Sequence, residues 1–201
     1  MFVTMIHNKH IFFVLLFITF LSHSQTRNNN DSIFYSNVLK SSSFFFSQEN
    51  FKKAAYYFSH KNWDSTLIYT QKQLNSKNQN LKIKNYCYLF RGISFSKKKV
   101  YNEAINQLES ISKNFSFSNR IIYNLSTLNI EIENLKVAII YLKQLEHIPN
   151  QKLIYVYKND ILNDLGTCYL LLDDFNNAER YLKKSYQNEV TLPSQQTCVI
   201  T

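Results

Sequence analysis

The stretch LNDLGTCYLLLDDFNNAERYLKK, residues 162–184, decides the fold. Its apolar spacing is that of two helices parted by a polar break at Asp173-Asp174. Yet Gly166, one of only two glycines in the chain, lies inside the first of them. Glycine within a helix costs about 1 kcal/mol relative to alanine, so something else must favour it there. Reading on from Gly166, the chain gives Tyr169, Phe175, Ala178 and Leu182 at offsets of 3, 9, 12 and 16. The other glycine, Gly92, is followed at the same offsets by Phe95, Tyr101, Ala104 and Leu108. A third copy lies between them as Ser126, Asn129, Leu135, Ala138 and Leu142. Antiparallel helices approach closely only where neither carries bulk, so each glycine is expected to face the alanine of the second helix. On that register, Gly166→Leu wedges the pair apart at a cost of about 1–3 kcal/mol.

Ala104 and Ala138 are 34 residues apart, whereas Ala138 and Ala178 are 40 apart, which requires an insertion of six. Pro149 marks where it enters. The proline stops one helix, and the next is expected to run long, from roughly Gln151 through Leu172. A helix–turn–helix period of 34 with small residues at these places resembles the tetratricopeptide repeat (TPR). The resemblance implies an all-α, right-handed superhelical solenoid of antiparallel helix pairs with three or four repeats. It covers residues 47–192, as a weak repeat at 47–80 and repeats at 85–118, 119–152 and 159–192. The weak copy carries Ala54, Tyr57, Trp63 and Thr66, and Arg91 stands where the family prefers leucine. Gly92, Tyr101, Ala104, Ser126, Ala138, Gly166, Phe175 and Ala178 are the repeat's structural positions. Phe95, Tyr101, Tyr169 and Phe175 are expected in the core within and between repeats.

The ends carry other signals. Lys9, the apolar run Ile11–Leu21 and Ser22-His23-Ser24 form a secretory signal peptide over residues 1–24, with cleavage expected near Ser24/Gln25. The apolar run falls short of the ~20 residues that span a bilayer. Export to the periplasm or beyond is therefore expected. Residues 25–48 divide into a polar lead-in and a leading helix over Asp31–Gln48, with Asp31 or Ser32 as its cap. The array proper is placed at 49–192 and a tail at 193–201.

The formal charge of +9 could indicate nucleic acid. The lysines are scattered, however, and the run Lys97-Lys98-Lys99 falls in an inter-helix turn, so no nucleic-acid partner is expected. Cys87, Cys168 and Cys198 form no CxxC pattern, and no disulfide is assigned. After cleavage only His60 and His147 remain, without metal-ligand spacing. Glu131 and Glu133 face different ways on a helix, and Asp173-Asp174 reads as a capping turn rather than a metal pair. Neither glycine belongs to a phosphate-binding loop. The expectation is a protein without catalytic residues, cofactor or metal.

The resemblance implies a concave surface lined by the first helix of each repeat. Its positions here are Tyr86, Leu89, Ile93, Ser96 and Lys97; Arg120, Tyr123, Thr127, Ile130 and Glu131; and Asp160, Asn163, Thr167, Leu170 and Leu171. Phe51 and Ala55 stand where carboxylate-gripping family members place lysine and asparagine, so that clamp is absent. The groove is mixed aromatic and aliphatic with Arg120 as its central cation. It suits a peptide with apolar anchors, or it receives a neighbouring helix such as the leading one. On the first alternative, replacing Arg120 and Tyr123 together abolishes capture without unfolding. The expected function is an exported, non-catalytic scaffold for a protein or peptide partner. The alternative is the extracytoplasmic sensory module of a membrane-bound regulator such as a histidine kinase, for which the ending QNEVTLPSQQTCVIT, without an evident capping helix, speaks. In that case alone is a membrane implied.

Overall fold

A computed structural model describes residues 31–77, 80–153 and 155–191. The leader, the lead-in before Asp31 and the tail lie outside the described residues. The described chain is helical without strands. A leading helix α1 covers residues 31–42. It is followed by α2 (Glu49–Ser59), α3 (Trp63–Leu74), α4 (Leu81–Lys97), α5 (Tyr101–Glu109), α6 (Ser118–Glu131), α7 (Leu135–Glu146), α8 (Lys158–Leu171) and α9 (Phe175–Thr191). Short 3-10 turns sit at Ser43–Phe45 and Asn150–Lys152. The pairs α2–α3, α4–α5, α6–α7 and α8–α9 pack internally, and each stacks on the next. The fold is a TPR-like solenoid of helix pairs.

The strongest internal symmetry is in the backbone. Lys61, Lys99, Glu133 and Asp173 all adopt left-handed φ, at 56°, 60°, 59° and 59°. Each lies seven residues after the small residue of its pair, namely Ala54, Gly92, Ser126 and Gly166. The next amide then reaches back across the helix end: Asn62 to the Tyr57 carbonyl at 2.9 Å, Val100 to Phe95 at 2.9 Å, Asn134 to Asn129 at 2.8 Å and Asp174 to Tyr169 at 2.9 Å. This closure satisfies carbonyls that the ended helix orphans. None of the four residues is glycine, so each turn carries a conformational cost of about 1 kcal/mol that the packing of its pair must offset. Asp174 then caps α9, accepting from the Asn177 amide at 3.1 Å. Those bonds, side chain first, hold its carboxyl below the ordinary aspartate range.

The glycines do permit close approach, but the partner differs from the expected alanine. A Cβ on Gly92 would meet Leu108 Cδ2 at 2.5 Å, with the Ala104 carbonyl farther off at 3.4 Å. A Cβ on Gly166 would meet Leu182 Cγ at 2.6 Å. The bulk that excludes a side chain is thus the leucine one turn beyond the alanine, at offset 16. Ala104, Ala138 and Ala178 are buried and let the helices close in; the leucine fills the notch.

Two further expectations are corrected. The insertion after Pro149 does not lengthen a helix: α8 begins only at Lys158. Asn150–Lys152 form a 3-10 turn and residues 155–157 a non-helical stretch in which Val156 is buried, while Lys158 reaches back to the Glu146 and Ile148 carbonyls at the end of α7. A run of branched and aromatic side chains with one face to bury is better served by a loop pressed into the core than by an extra helical turn. Phe175 is 63% exposed rather than in the core. Its equivalent Tyr101 is half-buried and bonds Glu131 of the following pair, and among the described residues α9 has no following pair to supply that cover. Phe95, Tyr101 and Tyr169 are partly buried against the core.

The interior divides into two clusters. One joins Phe34 and Val38 of α1 to Phe51, Phe58, Leu89, Phe90 and Leu128. The other gathers Tyr123, Leu142, Leu145, Ile161, Leu165 and Tyr181 around α6 to α9. Cys87 and Cys168 are buried and unpaired, one in each cluster, and burial pushes each thiol up to about 12.

Candidate functional site: a half-filled concave face

Helix α1 lies along the inner side of the first repeats. Phe34, Val38 and Ser42, spaced by four, are fully buried on one face. Phe34 meets Phe117 edge-on at 5.6 Å and Tyr155 at 5.6 Å, while Tyr35 meets Phe58 at 5.5 Å. Asp31, at the described start of the helix, pairs with Arg120 of α6 and, at 3.5 Å, with Lys97 of α4. The Arg120 guanidinium also donates to the Asn124 side chain and the Tyr155 carbonyl, each at 3.0 Å, and lies over the Phe34 ring. Every side of that cation is occupied, as burial of a charge demands. Burial first, and then Asp31, push the Tyr35 hydroxyl well above the ordinary tyrosine range against the pull of Arg120.

The described residues between α7 and α8 complete this cover. Tyr155 has φ of 62°, a strained value for a tyrosine, and in that conformation its carbonyl accepts from Arg120 while its ring packs on Phe34 and Phe117. Asn119 donates to the Lys152 carbonyl at 2.8 Å and ties the loop to the start of α6.

The groove positions expected from sequence therefore fall into two groups. Tyr86, Leu89, Arg120 and Tyr123 are buried. Tyr86 sits among Phe45, Phe51 and Phe115, and its hydroxyl bonds Ser41. Tyr123 donates to Asp164 of α8 at 2.9 Å. Arg120 is thus not an open groove cation but the counter-charge of α1. Paired replacement of Arg120 and Tyr123 removes buried contacts with α1 and α8, so its expected effect includes a loss of stability beside any loss of capture. Of the two alternatives, a neighbouring helix is what these positions meet: α1 at Tyr86 and Arg120, and α8 at Tyr123. Thr127, Asn163 and Thr167 form the second group: all three are half-buried, Leu170 beside them is half-buried, and Leu171 is 59% exposed. A cavity of about 250 Å³ lined by Asp31, Tyr35, Lys97, Arg120, Asn124 and Thr127 marks the border between filled and open stretches.

Sequence reasoning offered the leading helix as one of two occupants of the groove but did not find the Asp31–Arg120 pair that anchors it. A signal was present: Asp31, Phe34, Val38 and Ser42 make a stripe at helical spacing, flanked by Tyr35 and Leu39. Among the described residues no cluster of three or more metal-ligating side chains occurs, and no helix is long and apolar enough to cross a membrane.

No family model matches the chain, and no curated protein matches it. Among solved structures it is similar to the crystal structure of MamA, at 18% sequence identity and a TM-score of 0.54 over 67% of this chain and 72% of that one. MamA is a TPR-like helical-repeat protein, and at this identity the likeness concerns the fold alone.

Proposed function

We propose that the protein is a non-catalytic interaction scaffold that takes a partner segment on the open stretch of its concave face, over α6 and α8. The observation that carries this reading is the contrast along one surface. The first repeats have Phe51, Ala55, Leu89 and Ile93 buried on their inner side, whereas at the equivalent places of α8 Asn163 and Thr167 are only half-buried, beside the exposed Leu171. Hydroxyls and an amide beside Leu170 and Leu171 supply hydrogen-bond partners around an apolar anchor, which suits a short extended or helical segment. TPR-like folds are scaffolds of this kind, which agrees with the likeness to MamA in fold.

Selection of a displayed peptide library on the immobilised protein tests the reading. Enriched peptides should lose binding to an Asn163→Arg, Thr167→Arg variant that melts like the wild type. Undiminished binding to that variant contradicts the open stretch as the site. Export belongs to the same proposal: the signal-peptide pattern supports action outside the cytoplasm, and an intact mass beginning at Gln25 is the expected outcome.

A further inference from the structure

A second concavity lies where the end of α1, the start of α4 and the α5–α6 connection meet, and shares Tyr86 with the filled part of the inner face. It encloses about 420 Å³. Phe45, Tyr86 and Phe115 form its apolar wall, and Phe44 and Leu81 stand on its rim. Phe44 is 86% exposed and Leu81 63% exposed, and Phe44 is braced edge-on against Phe45 at 5.4 Å. Large apolar side chains held in the open beside a pocket are a mark of a binding surface.

The polar lining has one sign. Lys82 lines the cavity, the exposed Lys40 and Lys113 adjoin its lining residues Ser41 and Asn114, and among the described residues no acidic side chain lines it. Asn85 adds an independent pointer. It is 4% exposed, and its Oδ1 accepts the Ser112 amide at 3.2 Å, which fixes the orientation of the side-chain amide. Its Nδ2 makes no hydrogen bond, yet it is not among the sealed unsatisfied atoms, so this donor opens onto the cavity it lines. A buried donor left for solvent, a lysine and an apolar floor describe a host for a carboxylate next to a hydrophobic side chain.

We infer that this cavity docks an acidic peptide segment in which an aromatic or large aliphatic residue is flanked by carboxylates. The anchor side chain packs between Phe44, Phe115 and Leu81, and a neighbouring carboxylate accepts from Asn85 and Lys82. The site is independent of the open stretch of the concave face, and it can stand or fall without that proposal.

Fluorescence anisotropy of the full chain with a labelled Asp-Glu-Phe-Asp-Phe-Glu peptide tests it. Saturable binding is expected, weakened about tenfold or more by Phe44→Ser and by Lys82→Glu, both exposed substitutions that leave the fold intact. The Asn163→Arg, Thr167→Arg variant should bind the peptide as the wild type does. A control peptide with serine for phenylalanine should bind at least about tenfold more weakly. Three outcomes overturn the inference: no saturable binding, binding unchanged in both Phe44→Ser and Lys82→Glu, or equal binding of the serine control, which would mean general attraction to a basic chain.

Discussion

The two halves of the inner face are built from the same repeat and end differently. In the first, α1 brings Phe34 and Val38 into the core and sets Asp31 against Arg120. In the second, the equivalent surface of α8 carries Asn163 and Thr167, with no helix laid over them among the described residues. The repeat frame fixes where a groove lies. Whether it is open depends on residues outside the frame, here a stripe on the leading helix and a loop after Pro149. The difference teaches that groove positions in such an array cannot be assigned to partners until the flanking segments have been placed.

The largest expected effect comes from emptying the first half. Phe34→Ala removes a fully buried ring and leaves a cavity beside Arg120, which costs about 3–5 kcal/mol if α1 stays docked. Urea unfolding reads the loss, and a smaller loss with unchanged cooperativity would mean that α1 contributes little to holding the array together. The glycines compare the halves directly. At Gly92 an added methyl runs into Leu108, which is 2% exposed and confined by stacked pairs. At Gly166 it runs into the Leu182 side chain, with the Leu182 backbone N at 3.3 Å, but Leu182 is only half-buried in the last described pair and its side chain has room to shift. Overpacking outweighs the helix-propensity gain at the first site, so Gly92→Ala should cost about 1–2 kcal/mol, and Gly166→Ala should lie within about 1 kcal/mol of neutral. Equal melting temperatures for the two variants would erase the distinction.

A smaller, opposite effect is expected at the shared turn. Lys99→Gly relieves left-handed strain at an exposed residue and should stabilise by about 1 kcal/mol, with a comparable gain for Glu133→Gly in the next pair. The smallest effect belongs to the second half and is read by pH. Burial alone would raise the Glu146 carboxyl, but Lys143 foremost, with Tyr181 and Lys184, brings it below the ordinary value of 4.5. A depressed acid stabilises above that value and loses its contribution as pH falls through the lower, folded-state value. Glu146→Gln should therefore be less stable than the wild type at neutral pH, with the gap closing in acid. A gap that stayed constant would remove Glu146 from the account.

The fold was legible because two glycines, three alanines and the leucines at offset 16 recur at fixed spacing, and close packing permits few other residues there. The left-handed turn residues were not legible, since Lys61, Lys99, Glu133 and Asp173 are charged residues of both signs, none of them the glycine that favours left-handed φ, and the strain is imposed by the helix pair. The start of α8 was misplaced because the apolar residues of 153–157 fit a helical pattern as well as a packed loop. Of the inner face, the positions could be named from the repeat. Their burial could not, because it depends on contacts between Asp31 and Arg120, which are 89 residues apart. The cavity beside Phe44 had no sequence signal beyond an aromatic run, Phe44-Phe45-Phe46, whose middle member alone turns into it fully.

Amide hydrogen exchange of the native protein, resolved to peptides of α1, tests the central claim most directly. If α1 fills the first half of the inner face, residues 34–42 exchange as slowly as α2 and lose that protection in Phe34→Ala, while α8 and α9 keep theirs. Exchange of 34–42 at the rate of an unstructured chain in the wild type would contradict the account, and the whole inner face would then be open.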